Sequence, residues 1–297
     1  MRRYIIVCLV FVFSFLLIFM VSIQNGYAES MLQIKGSDTL INLVQRLAEV
    51  YMEKNEGKVI AVTGGGSGTG IAALINGKCD IANASRLMKD KEVDQANERG
   101  VDPKRVVIAM DGLSVITNAK NPITKLTVDE IGKIFRGEIT NWKELGGKDM
   151  QITLYGRQSN SGTFEFFREA VLQGDYLDKM NRMNGNSQIV ESIKQDMSGI
   201  GYVGVGYVKD APGITVIKVA AVAGAEYASP LNPEDVKSGK YPIARPLNQY
   251  TNGTPKGPAR DFIAFELSEE GQKIVEEEGF FLVPSEYVKF NNKSTGL

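Results

Sequence analysis

The sequence has no histidine among its 297 residues and only two cysteines, Cys8 and Cys79. Without histidine, the chain cannot use a Ser-His-Asp or Cys-His nucleophile, a histidine general base or a histidine metal site. An excess of positive charge is also lacking, because 34 Lys and Arg stand against 35 Asp and Glu. Such a chain has no positive field to hold a polyanion. We therefore predict no catalytic residue, no metal site, no cofactor and no nucleic-acid partner.

The longest apolar run lies at the N-terminus, where two arginines precede the stretch from Tyr4 to Ile23. The small residues that end at Ala28 would allow cleavage there, so residues 1–28 are predicted to be a signal peptide. At roughly 20 residues, the run is also about long enough to remain as an uncleaved membrane anchor. Both alternatives export the rest of the chain to the periplasm or the cell surface. After cleavage Cys79 would be the only thiol, which excludes an internal disulfide.

A strand, a loop of small polar residues and a helical pattern follow one another three times, in segments 32–51, 59–75 and 152–171. In the first segment, Ser37, Asp38 and Thr39 stand where the N-cap of the helix is expected. In the second, the helix is expected to begin at Ile71, after the glycine-rich loop 64–70. This alternation predicts an α/β architecture with helices covering a largely parallel sheet.

The three loops are candidate anion sites. A loop of small residues before a helix offers unpaired backbone N–H groups and the positive end of the helix dipole. The third loop is the most specific of them, because Arg157 stands four residues before Ser161 and adds a planar positive group. The second loop has no lysine where a nucleotide-hydrolysing P-loop needs one, so triphosphate hydrolysis is not expected.

Two other motifs are interpreted as structural. The string Gly199–Gly204 matches G-x-G-x-x-G, but strand-like sequence follows it where a dinucleotide site needs a helix, so we predict a buried strand. Trp142, the only tryptophan, is predicted to be a core residue rather than a platform for a ligand.

Four segments occur in one order that is similar to a known family: Gly36–Leu40, Gly64–Gly70, Asp80–Arg86 and Arg157–Thr163. With further matches at 131–142, 200–202 and 268–275, they extend over nearly the whole chain after Ala28. The chain resembles the phosphate-binding proteins of phosphate ABC importers.

The resemblance implies a two-lobed periplasmic-binding-protein fold of type II. Each lobe would be a mixed, mainly parallel sheet flanked by helices, and two crossover strands would join the lobes. We expect lobe 1 to comprise residues 29–114 and 241–297, and lobe 2 to comprise residues 115–240. No Pro/Gly/Ser-rich linker marks a boundary between two separate domains.

The resemblance also implies a set of residues around a desolvated oxyanion. The predicted ligand-binding residues are Ser37, Asp38, Thr39, Leu40, Ser67, Ser85, Arg86, Arg157, Ser161, Gly162 and Thr163. One position departs from the family pattern, because relatives place an acceptor aspartate where this chain has Arg86. Our hypothesis is that Asp38 supplies the missing proton acceptor, while Arg86 either adds a second positive partner or leaves the cleft.

The implied function is that of a high-affinity receptor, not an enzyme, which closes on inorganic phosphate and delivers it to the permease and ATPase of an ABC importer. It is expected to act as a monomer. The first alternative is a receptor for another tetrahedral oxyanion, such as sulfate, molybdate or tungstate. The others are an exported phosphate-ester hydrolase and a surface protein that serves in adhesion or sensing.

Overall fold

The computed structural model describes residues 31–297. The predicted signal peptide, its cleavage site and Cys8 lie outside the described residues. Within residues 31–297, none of the helices has the length and the apolar character that crossing a membrane requires.

The first lobe is built on a five-stranded sheet with the order β2-β1-β3-β12-β4. Strands β1, β2 and β3 are parallel to one another, and β12 runs antiparallel to both β3 and β4. The strands are β1 (Leu32–Gly36), β2 (Ile60–Thr63), β3 (Ile81–Ala84), β4 (Pro103–Gly112) and β12 (Ala244–Asn252).

Six of the helices flank this sheet. They are α1 (Ile41–Lys54), α2 (Ser67–Ile75), α3 (Asp90–Glu98), α8 (Gly257–Glu266), α9 (Glu269–Glu277) and α10 (Ser285–Thr295). The α1 face that packs on the sheet carries Leu43, Val44 and Leu47, all fully buried. Burial of such apolar faces holds the layers together.

The second lobe contains a five-stranded sheet with the order β10-β5-β9-β7-β8 and a separate parallel pair, β6 with β11. Its strands are β5 (Ser114–Asn118), β6 (Lys125–Thr127), β7 (Thr153–Arg157), β8 (Asn181–Met183), β9 (Gly199–Val203), β10 (Ile214–Val216) and β11 (Lys218–Ala220). Its helices are α4 (Val128–Arg136), α5 (Gly162–Phe167), α6 (Asn186–Gln195) and α7 (Pro233–Lys237).

The chain passes between the two sheets twice. The first passage is at Leu113, between the end of β4 and the start of β5, and the second is at Ile243, before β12 begins. The two passages lie side by side, because Leu113 N donates to Ile243 O at 2.9 Å. The predicted fold class, an α/β fold of two lobes with mixed sheets, is confirmed.

Thr127 caps α4 by accepting a hydrogen bond from Glu130 N at 3.2 Å. Two predictions made from the sequence are confirmed. Gly199–Val203 forms the fully buried strand β9. Trp142 is buried in the second lobe, where its Nε1 donates to Ser198 O at 2.8 Å.

Two expected helix starts are wrong, and helices α3, α6, α7 and α10 were not predicted. The N-cap of α1 is Leu40, and no side chain caps this helix, because Ser37, Asp38 and Thr39 instead contact Ser85, Arg157 and Thr163, respectively. Helix α2 begins at Ser67 rather than at Ile71, so half of the glycine-rich loop is helical. Helix α10 escaped prediction because it is polar, with only Asn291 and Thr295 buried.

A buried carboxyl group, Glu266, should make the stability of the first lobe pH-dependent. Its side chain accepts a hydrogen bond from Gln249 at 3.0 Å and is fully buried, and burial raises its pKa well above the usual range. A carboxyl with a raised pKa contributes its full stability below its unfolded pKa of about 4.3, and this contribution is lost as the pH rises towards the folded pKa.

The Glu266→Gln variant should therefore gain stability relative to the wild type as the pH rises from 5 to 8. The difference in the free energy of unfolding should change by up to about 1.4 kcal/mol per pH unit, the limit for one proton. Urea unfolding at several pH values measures it, with the exposed Glu269→Gln as the matched control. A difference that stays constant between pH 5 and 8 would contradict this assignment.

Candidate functional site

The candidate site lies between the two lobes, at the carboxyl ends of four strands. Ser37 follows β1, Ser67 lies beyond β2 at the start of α2, Ser85 follows β3, and Arg157 ends β7. Carboxyl ends of parallel strands meet at one edge of a sheet, which is where ligands of open α/β sheets bind. The three loops predicted from the sequence are thereby brought together.

Five hydroxyl groups form a buried cluster at this edge, with four from the first lobe and one from the second. Ser37 Oγ donates to Ser85 Oγ at 2.9 Å, and Ser67 Oγ is 3.4 Å from Ser85 Oγ. Across the lobes, Thr163 Oγ1 lies 2.8 Å from Thr39 Oγ1 and 3.3 Å from Ser85 Oγ. None of the five residues is more than 3% exposed. Below, these five residues are called the hydroxyl cluster.

Gly162 allows the second lobe to approach the hydroxyl cluster. A Cβ atom on Gly162 would lie 2.2 Å from Ser67 Oγ and 2.8 Å from Ser85 Oγ, distances at which no side chain fits. The preceding residue, Ser161, is the N-cap of α5 and accepts hydrogen bonds from Thr163 N and Phe164 N. The start of α5 therefore lies directly against the hydroxyl cluster.

Arg157 supplies a buried positive charge beside the cluster. Its side chain is 2% exposed, and Nη2 donates to Asp38 Oδ2 across the lobes and to Asn184 O at 2.7 Å. Its Nη1 is buried and has no hydrogen-bond partner within residues 31–297. A buried, unpaired guanidinium nitrogen is costly, so this atom marks a position that an anion would satisfy.

Tyr202 holds the backbone of Arg157 in place. The backbone N of Arg157 donates to the Tyr202 hydroxyl at 3.2 Å, and the Tyr202 ring stacks on Phe167 at a centroid distance of 4.0 Å. Burial raises the pKa of Tyr202 to about 12, so the group stays a neutral phenol.

Asp38 has both carboxylate oxygens engaged. Its Oδ1 accepts from Gly65 N at 2.9 Å, while Oδ2 accepts from Arg157. The hydroxyl of Tyr207, in the second lobe, donates to Asp38 O at 2.6 Å. Asp38 therefore fixes Arg157 and the glycine-rich loop at the same time.

The side chains of two predicted residues, Arg86 and Leu40, are engaged outside both the hydroxyl cluster and the Arg157–Asp38 pair. Both terminal nitrogens of Arg86 pair with Glu92 at 2.7 Å. Burial acts to raise the pKa of Glu92, but hydrogen bonds from Arg86 and Lys89 outweigh it and hold that pKa below its usual range. The Leu40 side chain is fully buried in the core of the first lobe, and its N–H donates to Ser37 O at 3.2 Å.

Sequence reasoning missed a second buried ion pair at the site, between Asp111 and Arg245. Arg245 Nη2 and Nε donate to Asp111 Oδ2 at 2.8 and 3.0 Å, and neither side chain is more than 2% exposed. Arg245 Nη2 also donates to Thr163 Oγ1 at 3.0 Å. The two residues face each other in the register of β12 and β4.

Asn160, in the second lobe, docks on the glycine-rich loop of the first lobe. Gly68 N donates to Asn160 O at 3.0 Å, and Asn160 Nδ2 donates to Gly65 O at 2.9 Å. A Cβ atom on Gly66 would lie 2.7 Å from Asn160 O. The glycines at the start of this loop therefore serve the close approach of the lobes.

The site is rich in hydrogen-bond donors and has the composition of an anion site rather than of a metal site. Within residues 31–297, no group of three or more acidic or cysteine side chains could hold a metal ion. Two α/β lobes that meet over buried hydroxyls and a buried arginine define a binding protein that holds its ligand between the lobes.

Residues 24–270 match the family model described as the PBP superfamily domain, and the chain belongs to this superfamily. Within it, the chain is a member of the PstS family of phosphate-binding proteins, as its curated relatives show. It is 31% identical to the phosphate-binding protein PstS of Pseudomonas aeruginosa, over 88% of this chain and 86% of the relative. It is 33% identical to PstS of Bacillus subtilis, over 86% of this chain and 82% of the relative.

Solved structures agree with this assignment. A phosphate ABC transporter substrate-binding protein from Clostridium perfringens, solved with bound phosphate, is 33% identical and superimposes with a TM-score of 0.76. The match covers 86% of this chain and all of that one. An ABC-type phosphate transport receptor from Vibrio cholerae is 26% identical, with a TM-score of 0.68, over 85% of this chain and all of that one. The resemblance inferred from the sequence motifs is confirmed.

Proposed function

We propose that this protein is an exported receptor that binds inorganic phosphate between its two lobes and delivers it to an ABC importer. The observation that carries the proposal is the buried hydroxyl cluster shared by both lobes, beside a buried arginine with an unpaired nitrogen. The names of its relatives and the phosphate bound in the Clostridium perfringens structure support the choice of ligand.

The proposed ligand contacts come from both lobes. Hydroxyls of Ser37, Thr39, Ser67 and Ser85 act from one side, and Thr163, the N-terminus of α5 and Arg157 act from the other. The anion can be fully satisfied only when the lobes are closed, so its binding energy favours the closed shape. An importer can recognise that shape, and no chemistry on the ligand is needed.

The proposal includes the surroundings of the protein. We expect export directed by residues 1–28, a monomer in solution, and docking onto the permease and ATPase subunits of the importer. We propose lobe boundaries at residues 29–114 with 241–297 and at residues 115–240, a division that the two chain passages at Leu113 and Ile243 support.

Calorimetric titration of the purified protein, freed of ligand by partial unfolding and refolding, tests the proposal. Phosphate is expected to bind at micromolar concentration or tighter, with little response to sulfate, molybdate or tungstate. Tighter binding of sulfate, molybdate or tungstate than of phosphate would mean that the ligand is another tetrahedral oxyanion. Turnover of a phosphate ester by the wild-type protein would contradict the receptor function altogether.

Asp38 is proposed as the group that accepts the proton of hydrogen phosphate. An Asp38→Asn variant should lower the ratio of phosphate affinity to sulfate affinity by about tenfold, the effect of one charge-assisted hydrogen bond. The loss of the partner of Arg157 should weaken both anions, so the ratio is the decisive quantity.

The matched control is Asp80→Asn, because Asp80 accepts a hydrogen bond from Gln33 N at the start of β3, outside the hydroxyl cluster. Competition titrations with phosphate and sulfate give the ratio for each variant. If the ratio of phosphate affinity to sulfate affinity is unchanged in Asp38→Asn, Asp38 does not contribute to anion selectivity.

A further inference from the structure

We propose that Arg245 is a second cationic ligand of the bound anion, held in place by Asp111. This inference rests on the proposed phosphate site between the lobes. Arg245 Nη2 lies 3.0 Å from Thr163 Oγ1, and Thr163 Oγ1 is itself 2.8 Å from Thr39 Oγ1. An anion oxygen bonded to the Thr163 hydroxyl therefore lies within reach of the Arg245 guanidinium.

Asp111 gives the guanidinium a fixed orientation. Its Oδ2 accepts from both Nε and Nη2 of Arg245, while its Oδ1 accepts from Val205 N at 2.8 Å. Because both of its oxygens accept hydrogen bonds, the Asp111 carboxylate is fixed, and it keeps the planar guanidinium in one orientation. This lowers the entropy cost of ordering the guanidinium on an anion. Asp111 is thus a positioning residue, and Arg245 is the binding residue.

The two cations of the site follow one pattern. Arg157 is paired with Asp38 and Arg245 with Asp111, so each buried positive charge has one carboxylate partner. A buried charge without such a partner would strongly destabilise the fold. Pairing therefore allows two arginines to stand at the hydroxyl cluster, where each can still donate to an anion.

Arg245 also contacts both lobes at the second chain passage. Its Nη1 donates to Ser85 O of the first lobe at 2.8 Å, while the ring of Phe166 in the second lobe lies 5.0 Å from its guanidinium carbon. The contacts with Thr163 and Phe166 need the closed arrangement of the lobes. An anion bound to Arg245 would therefore favour closure at the position where the chain passes from lobe to lobe.

The test is calorimetric titration of the Arg245→Gln variant with phosphate and with sulfate. We expect phosphate affinity at least about tenfold below that of the wild type, the effect of losing one charge-assisted contact. Arg245→Lys keeps the charge but not the planar guanidinium, and it should recover part of the lost phosphate affinity. The matched control is Arg105→Gln at the far end of the same strand pair, where the guanidinium stacks on Phe290 at 4.5 Å.

A purely structural role for Arg245 predicts a different result. In that case Arg245→Gln would lower the melting temperature while phosphate affinity stayed within about twofold of the wild type, and the inference would be overturned. If Arg245→Gln does not fold because Asp111 is left unpaired, the double variant Asp111→Asn with Arg245→Gln removes both charges and must show the same tenfold loss. Wild-type protein that binds no phosphate would refute the proposed function itself.

Discussion

The Gly162→Ala variant is expected to bind phosphate at least about 100-fold more weakly than the wild type. A methyl group at this position would lie 2.2 Å from Ser67 Oγ and 2.8 Å from Ser85 Oγ, so it would separate the lobes at the hydroxyl cluster. Gly162 is the first residue of α5, a conformation that alanine adopts readily. The variant should therefore keep two folded lobes and lose their closure.

Gly185→Ala is the matched control for this substitution. Gly185 precedes α6 in the same lobe, and a Cβ atom there meets nothing within 4 Å. Both variants should melt near the wild-type temperature, and only Gly162→Ala should lose affinity in calorimetry. Phosphate binding by Gly162→Ala within about threefold of the wild type would mean that the ligand does not need the closed lobes.

Replacing Arg157 by glutamine should have an effect of similar size. The substitution removes the charge beside the hydroxyl cluster and leaves Asp38 unpaired, so that a carboxylate faces the incoming anion. Loss of a buried charged contact combined with repulsion should cost at least about 100-fold in phosphate affinity, close to 3 kcal/mol. Equilibrium dialysis with radiolabelled phosphate would measure affinities that are too weak for calorimetry.

Arg136→Gln serves as the control for Arg157, since Arg136 pairs with Glu138 at the end of α4 in the same lobe. It should bind phosphate as the wild type does. A folded Arg157→Gln protein with undiminished phosphate affinity would show that the charge of the site comes from elsewhere.

Much of the fold could be predicted because its signals are local. Strands β1, β2 and β7 each carry apolar residues and lead into a loop of small residues, and Thr127 stands three residues before Glu130 in a capping box. The cap expected among Ser37, Asp38 and Thr39 was wrong because tertiary contacts claimed these side chains. Propensity at a helix start gives way to such contacts.

Part of the candidate site could likewise be predicted from local motifs, and part could not. Residues in the loops after β1, β2 and β7 were found because each loop carries its own motif, as in Arg157 to Thr163. Asp111 and Arg245 carry no local motif, and they are 134 positions apart in the chain. Only the antiparallel register of β4 and β12 brings them together. The pair could therefore be predicted only by someone who already knew how these two strands are aligned.

Arg86 was given two alternatives from the sequence, a second positive partner of the anion or a place outside the cleft, and its pair with Glu92 favours the second. Ser85 and Arg86 are adjacent, yet Ser85 joins the hydroxyl cluster while Arg86 pairs with Glu92 of α3. Both residues lie just beyond the end of β3, where adjacent side chains need not point the same way, so neighbours in the sequence need not share a site.

The most direct test of a phosphate held between the lobes is a crystal structure of the protein grown with phosphate. One phosphate is expected within hydrogen-bond distance of the Thr39, Ser85 and Thr163 hydroxyls and of Arg157 Nη1, with the Arg157–Asp38 pair intact. A phosphate bound on the outside of either lobe, with the hydroxyl cluster unchanged, would contradict it.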